Sequence, residues 1–352
     1  MQDYLYNLIT DKYKGIIPSL IKLFLFILSL IYGLVIRVLI FFQHLSQYQL
    51  NAKVISVGNI TLGGTGKTVL VEYIAKHLKQ QGHKVAILTR GYKRKFTDYK
   101  IMADEPYMLA KKLEGTPVIV DANRIRAGSQ TINRYGVDTL ILDDGFQQWK
   151  IKKDLEIATI DATYPFGNHY LIPRGILREP ISSLRRADIF VLTKTNLNTD
   201  IDSLKEFLSK LNPEADIMES SHKPVCFYNL YKPKESQDLD IFKGKTVTLF
   251  SGIASPGSFE NLIRGLDINI GLSFRFADHY PYKKEDLDKI IKSSKEKNID
   301  TIITTEKDAV RVYDVLPLEK AVYSSEISVL KIALEIKDEQ GFHNRLLKLY
   351  PL

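Results

Sequence analysis

Residues 53–81 read KVISVGNITLGGTGKTVLVEYIAKHLKQQ. An apolar run, KVISVG, enters a glycine-rich loop, and a helix-patterned run leaves it. The loop approaches Gly-x-x-x-x-Gly-Lys-Ser/Thr, with Thr61 where the first glycine is expected. Glycines let successive backbone N–H groups turn inward around phosphate oxygens, and the following helix aims its N-terminus at the same charge. The candidate cradle is Thr61, Leu62, Gly63, Gly64, Thr65, Gly66, Lys67 and Thr68. Lys67 is placed to reach the β- and γ-phosphates, and Thr68 to offer its hydroxyl to Mg²⁺. The competing reading is a glycine-rich turn with a chance Gly-Lys-Thr. Strand before and helix after favour the phosphate loop.

Outward from this loop, strand-length apolar runs recur at 84–89, 117–120, 138–143, 156–161 and 188–193. They lack polar alternation, so both faces are expected to be buried, as in a parallel sheet. Helical segments at 68–81 and 124–135 end at Gly82 and Gly136, a C-cap signal. The fold class is therefore α/β: a P-loop NTPase-type parallel sheet domain, with a smaller α/β domain carried by runs at 245–250, 269–276 and 300–305. The polar, proline-punctuated stretch HKPVCFYNLYKPKESQDLD places the boundary near 235. The expected domains are 1–48, an N-terminal membrane-associated helix; 49–234, the P-loop domain; and 235–352, the C-terminal domain.

Composition narrows the class. The single cysteine, Cys226, excludes an internal disulfide and any multi-cysteine metal site. The net charge of +8 is spread along the chain, so it reads first as solvated lysines and does not indicate nucleic acid. No aromatic-and-basic recognition motif supports an RNA-binding reading. Residues 16–43 are strongly apolar, interrupted by Lys22 and Arg37. Wound at about 100° per residue, Lys14, Ser19, Lys22, Ser29, Tyr32, Gly33, Arg37, Gln43 and His44 share an arc of about 140° opposite pure Leu, Ile, Val and Phe. That is the pattern of a helix lying in a membrane interface, its cationic stems reaching headgroups. A spanning helix and a helix buried against the domain are the alternatives.

Three further motifs carry chemistry. TLILDDGFQ (139–147) puts Asp143 and Asp144 at a strand end, as candidate Mg²⁺ carboxylates. VLTKTN (191–196) has Asn196 where a guanine-reading loop has aspartate; Asn lacks the second acceptor oxygen, which disfavours GTP. The alternative of a membrane-recruited P-loop GTPase or NTPase weakens with it. DANRIRAG (121–128) and LIPRGILREP (171–180) cluster Arg124, Arg126, Arg174, Arg178 and Glu179 in sheet-end loops. Arginine forks match phosphate, and Arg126 is expected on an exposed helix face without a role.

In order, NITLGGTGKT, RGYKRK, ADEPYMLAKKL, NRIRAG, ILDDGFQ, LIPRGILREP, FADHYPY and TTEKDAVR resemble the tetraacyldisaccharide 4′-kinases, the lipid A 4′-kinase family, from the N-terminal helix to about residue 312. A loop lacking its first glycine is itself a feature of that family. The resemblance implies ATP and Mg²⁺, transfer to the 4′-hydroxyl of a tetraacyldisaccharide 1-phosphate to give lipid IVA, and the cytoplasmic face of an inner membrane. The partners expected are the acylated disaccharide phospholipid and the membrane surface, with a monomeric enzyme. Arg124, Arg178, Glu105 and Gln147 are the candidate substrate contacts. Gln148 and Arg174 depart from the family's usual histidine and small residue. Pattern alone makes Asp104 or Glu105 a helix cap with Pro106 in the first turn, and His279 one loop histidine among seven. The resemblance instead implies that Asp104 and His279 pair, from opposite domains, to take up the acceptor proton alongside Lys67.

Overall fold

The computed structural model describes residues 8–9, 11, 13–90, 104–197, 200–315 and 327–350. Residues 91–95 of RGYKRK, and the side chain of Asp104, lie outside the described residues. The chain forms two compact units: the described residues within 1–101, 109–221 and 336–352, and those within 102–108 and 222–335.

Helix α1, Ile16–Leu45, belongs to the first unit and is long and apolar enough to cross a membrane. Only 17% of its most apolar window is buried, which sets aside the reading of a helix packed away in the core. Its orientation differs in part from the expected one. The middle of the polar arc faces protein: Ser29 and Gly33 are buried together with Ile36, and the Tyr32 hydroxyl donates to the Arg178 carbonyl at 2.8 Å, while Lys14, Ser19, Arg37 and His44 of the arc are exposed. Lys22 pairs with Asp11 at 2.7 Å and does not reach outward. A Cβ on Gly33 would lie 2.7 Å from Leu171 Cδ1, so a larger residue here would require the Leu171 side chain to shift. The other face, including Phe24, Ile27, Ile31, Leu34 and Phe42, is more than half exposed.

The P-loop sheet alternates strand and helix as far as β4, after which β5 and β6 follow without an intervening α-helix: β1 Lys53–Gly58, α2 Lys67–Gln80, β2 Val85–Thr89, α3 Asp104–Lys112, β3 Val118–Val120, α4 Arg124–Tyr135, β4 Thr139–Asp143, β5 Leu155–Asp161, β6 Ile189–Thr193, α5 Ile201–Leu211 and β7 Asp216–Asn229. The order β7-β6-β5-β1-β4-β2-β3 is parallel throughout. β2, β4 and β6 are buried at every position, which is why their sequences carry no polar alternation. One face packs Val54, Ala86, Leu88, Leu140 and Leu142 against Ala127; the other packs Ile160, Phe190 and Leu192 against Leu204 and Leu208. β1 lies between β4 and β5, where the winding reverses, so the residues after β1 open into the crevice in which such sheets bind ligands.

The second unit contains β8 Lys232–Gln237, β9 Thr246–Ser251, α6 Pro256–Arg264, β10 Asn269–Arg275, α7 Lys284–Glu296, β11 Ile302–Thr305, α8 Glu306–Val315 and β12 Ile327–Ile336. Its strands run β10-β9-β11-β12, with β8 antiparallel to the end of β7. Phe227, Val247, Leu249, Phe259 and Ile263 form one side of its core, and Phe250, Tyr282, Leu287, Ile290 and Val312 the other.

The units divide the chain differently from the sequence reading. The stretch read as the boundary near 235 is the β7–β8 hairpin, and the division falls at 221/222. The closing helix α9, Glu339–Leu347, belongs to the first unit, where His343 stacks on His77 of α2 at 3.5 Å. The start of α3 groups with the second unit, so Asp104 and His279 belong to one unit and not to opposite ones.

Candidate active site

The phosphate loop leaves β1 at Gly58, where a Cβ would sit 2.4 Å from the Phe146 amide nitrogen. Only glycine lets the loop after β4 close over the end of β1. Register then sets Asp143 level with Val57, beside the loop entry. Gly63 at φ 113° and Gly66 at φ 81° are left-handed, the conformation that favours glycine in a turning loop. Lys67 is the first residue of α2. The loop is pinned from below: Thr65 and Thr159 hydroxyls meet at 2.7 Å, and Thr159 donates to the Gly58 carbonyl at 3.1 Å.

Thr61 has a structural role of its own. It bridges antiparallel to Leu177, the Leu62 amide donates to the Ile176 carbonyl at 2.7 Å, and the Arg178 amide donates to the Ile60 carbonyl at 2.7 Å. The loop entry is thus a short strand against the PRGILREP segment, a conformation that suits threonine and gains nothing from glycine. The Thr61 hydroxyl, buried, accepts from Asn59 Nδ2 at 3.2 Å.

This pairing brings Arg178 over the loop. Its guanidinium donates to both Asp144 oxygens at 2.9 Å and to the Asn59 carbonyl at 2.8 Å. Lys67 Nζ lies 3.1 Å from Asn59 Oδ1 and 3.5 Å from Asp144 Oδ1. Burial alone would raise the Asp144 carboxyl; the Arg178 hydrogen bonds and the Lys67 charge outweigh it and hold Asp144 at about 2. Asp144 is therefore an anion held against two cations, Arg178 and Lys67, and Asp143 beside it is buried. Among the described residues no cluster of three or more His, Cys, Asp or Glu forms a ready-made metal cage. Mg²⁺ held by one or two protein oxygens plus phosphates and water does not need one.

The remaining candidates are placed as follows. Gln147 Nε2 donates to the Asn59 carbonyl at 3.0 Å and to Glu179 at 2.9 Å. Glu179 is fully buried and also accepts from Trp149 at 3.1 Å and Arg186 at 2.7 Å. Arg124 is buried, with Nη1 donating to the Asp121 carbonyl at 2.7 Å. Burial, then the neighbouring Arg90 charge, pull the Arg124 guanidinium down, opposed by Asp143, Asp144 and Asp121. Arg124 Nε, Arg178 Nε and Gln147 Oε1 are buried polar atoms without a hydrogen-bond partner, an arrangement that costs free energy unless a ligand or water supplies one. Arg124 and Gln147 line a cavity of about 420 Å³ with Gln43 of α1, Asn123, Gln148 and Trp149. Arg126 is exposed and pairs with Asp121 at 2.7 Å.

Arg174 is engaged elsewhere, donating to Asp11 at 2.8 and 3.1 Å. Lys194 of the TKTN turn pairs with Asp161. In the second unit Glu105 pairs with Lys307 at 2.6 Å, and His279, at φ 60°, lies 3.2 Å from Arg311. Sequence reasoning missed Asn59, Thr159 and Trp149. Asn59 alone had a signal, as a polar residue directly after a buried strand.

Phosphate cradles of this build, at the switch point of a parallel sheet, occur in P-loop NTPases and kinases, and the protein is of that class. Sequence comparison resolves it further. The family model for tetraacyldisaccharide-1-P 4′-kinase matches residues 21–350. The tetraacyldisaccharide 4′-kinase of Halothermothrix orenii is 37% identical over 341 residues, spanning 88% of each chain. That of Desulfatibacillum aliphaticivorans is 31% identical over 96% of this chain and 94% of its own. The crystal structure of LpxK from Aquifex aeolicus in complex with ATP superposes with a TM-score of 0.69 at 27% identity, covering 92% of this chain and 98% of that one. The chain belongs to the tetraacyldisaccharide-1-P 4′-kinase family and is a phosphotransferase.

Proposed function

We propose that the protein transfers the γ-phosphate of ATP to the 4′-hydroxyl of a tetraacyldisaccharide 1-phosphate, giving lipid IVA, at the cytoplasmic face of an inner membrane. The observation that carries this reading is the joined loop of Lys67, Asp144 and Arg178 beside a helix whose apolar face is exposed. A soluble acceptor gives no reason for that face; an acylated one does. ATP is favoured over GTP because Asn196 stands where a guanine-reading carboxylate is needed.

In this scheme the amides of 61–68 and Lys67 hold the transferring phosphate and stabilise its charge. Thr68 and Asp143 would hold Mg²⁺, which would supply charge neutralisation at the phosphate oxygens. Arg178, fixed by Asp144, and Arg124 contact phosphate, of ATP or of the lipid. Glu105 and Gln147 contact the acceptor. Asp104 takes the proton from the 4′-hydroxyl as the 4′-oxygen–phosphorus bond forms and the bond to ADP breaks. His279 pairs with Asp104 and orients it. The cavity of Arg124, Gln147 and Gln43 supports a polar headgroup delivered from the side of α1.

The test is product analysis. The full chain, in mixed micelles with ATP and the disaccharide acceptor, should yield a product with one added phosphate monoester, located at the 4′ position by NMR. GTP should support this poorly. Phosphate on another hydroxyl, or release of phosphate alone, contradicts the proposal.

A further inference from the structure

Two stretches of the second unit about 30 residues apart, FADHYPY and TTEKDAVR, meet around one guanidinium. Arg311, only 7% exposed, donates through Nη1 to Asp308 Oδ1 at 3.1 Å and to the Gly252 carbonyl at 2.8 Å. Its Nη2 lies 3.2 Å from His279 Nδ1. Asp308 is fully buried, and its other partners leave it no freedom: the Gly252 amide and the Tyr282 hydroxyl each donate to Oδ1 at 3.0 Å, and Thr305 donates to Oδ2 at 2.7 Å. The same Gly252 carbonyl accepts from the His279 backbone amide at 3.2 Å. Backbone and ring of His279 are therefore held by one cluster, although the side chain itself is 46% exposed.

The chemistry of the contact fixes the direction of the hydrogen bond. A guanidinium has only donors, so His279 Nδ1 must accept. The ring hydrogen then resides on Nε2, which lies 3.9 Å from Asp278 Oδ2. Placing a proton on Nδ1 would require the ring to leave Arg311 or to set an imidazolium against a guanidinium. A surface histidine with no such partner samples both tautomers.

We infer that Arg311, braced by Asp308 and Tyr282, is a positioning residue that holds His279 as the Nε2–H tautomer, so that the imidazole serves its partner carboxylate as a hydrogen-bond donor and is not itself the base. The inference rests on the reading that His279 takes part in the reaction. It gives the Asp-His-x-x-Tyr and Thr-Thr-Glu-Lys-Asp-x-x-Arg stretches one joint purpose. Tyr282 and Asp308 aim Arg311, Arg311 aims His279, and the proton of the acceptor goes to the carboxylate.

The test is spectroscopic and needs no substrate. In the full chain labelled with ¹⁵N-histidine, the multiple-bond ¹H–¹⁵N spectrum distinguishes Nε2–H, Nδ1–H and imidazolium rings. His279→Gln assigns the His279 signals, and it replaces an exposed side chain. Wild type above neutral pH should show the Nε2–H pattern, and Arg311→Met should shift it toward a mixture. An Nδ1–H ring or an even mixture in wild type overturns the inference even if Arg311→Met fails to fold. In turnover, Arg311→Met should lower kcat about tenfold, part of the ~10²–10⁴-fold that a positioned proton-transfer group supplies, with KM for ATP within about twofold. Arg311→Lys, which keeps a donor, should recover part of it. A kcat loss that Lys does not recover, with a wild-type spectrum in Arg311→Met, overturns the positioning role. Intact turnover in His279→Ala overturns the underlying reading and leaves the tautomer result standing on its own.

Discussion

The outward face of α1 offers the clearest quantitative test. Phe24, Ile27, Ile31 and Leu34 are 60%, 51%, 57% and 65% exposed, and none belongs to the buried Ser29–Gly33–Ile36 docking line. Burying a fully exposed side chain of this size is worth about 1.5–3 kcal/mol, so the exposed portion here contributes about 1–1.5 kcal/mol each when it enters lipid. Replacing all four with serine should therefore weaken membrane partitioning by about 4–6 kcal/mol, roughly 10³–10⁴-fold. Flotation with phospholipid vesicles reads this directly: wild type should rise with the vesicles and the quadruple variant should stay in the dense fraction. The thermal midpoint should change little, because exposed positions away from packed features contribute within about 0.5 kcal/mol each. A quadruple variant that floats like wild type refutes membrane contact through this face. A collapse of thermal stability shows instead that the face is packed within the protein.

The other predictions concern the site. Arg124→Ala and Arg178→Ala should raise an apparent KM, lower kcat, or both, while Arg126→Ala, whose guanidinium is exposed, should be mild in the same assay; three equal, small effects would make the cluster a solvated surface. Asp104→Ala and His279→Ala should each reduce kcat by roughly 10²-fold with modest KM change, and the double variant should be little worse than the poorer single. Multiplicative losses would mean that they act separately, and a lowered thermal midpoint with intact kcat in Asp104→Ala would make it a helix cap. Asp144, held at about 2 against an ordinary 3.8, stabilises the fold fully above its ordinary value and ceases to do so as pH falls through about 2. Denaturation between pH 4 and 2 should therefore show a stability loss in wild type that is reduced in Asp144→Asn, and parallel curves would contradict the ion-pair assignment.

What the sequence conveyed, and what it hid, follows from the range of the interactions involved. β1, β4 and β6 are legible because burial on both faces leaves only apolar residues there, and the glycines of 63–66 because a turning backbone requires them. β7 and β8 were hidden because β7 is only partly buried, β8 is almost wholly exposed, and both include prolines and lysines, which read as a domain boundary. Thr61 looked like a defect because its partner, Leu177, is more than a hundred residues away. The helical wheel of α1 found two faces correctly but could not say which one meets protein; the small residues Ser29 and Gly33, which permit close approach, were the missed cue. Arg174, read as a departure, ties the N-terminal segment down through Asp11. Burial would raise the Asp11 carboxyl, but Lys22, Asn168 and Arg174 hold it at about 2. The Asp308–Arg311 brace has spacing that also fits an ordinary helix-surface pair, and only its burial distinguishes it.

The central claim is that the loop at 61–68 moves phosphate from ATP onto a lipid acceptor. The most direct measurement follows γ-labelled ATP by thin-layer chromatography, with and without the tetraacyldisaccharide 1-phosphate, for wild type and Lys67→Ala. Wild type should place label in the lipid spot, with little free phosphate when the acceptor is absent. Lys67→Ala should lose about 3 kcal/mol or more of transition-state stabilisation, at least ~10²-fold in labelled lipid. Near-normal labelling by Lys67→Ala, or label found only as free phosphate in wild type, would contradict the account.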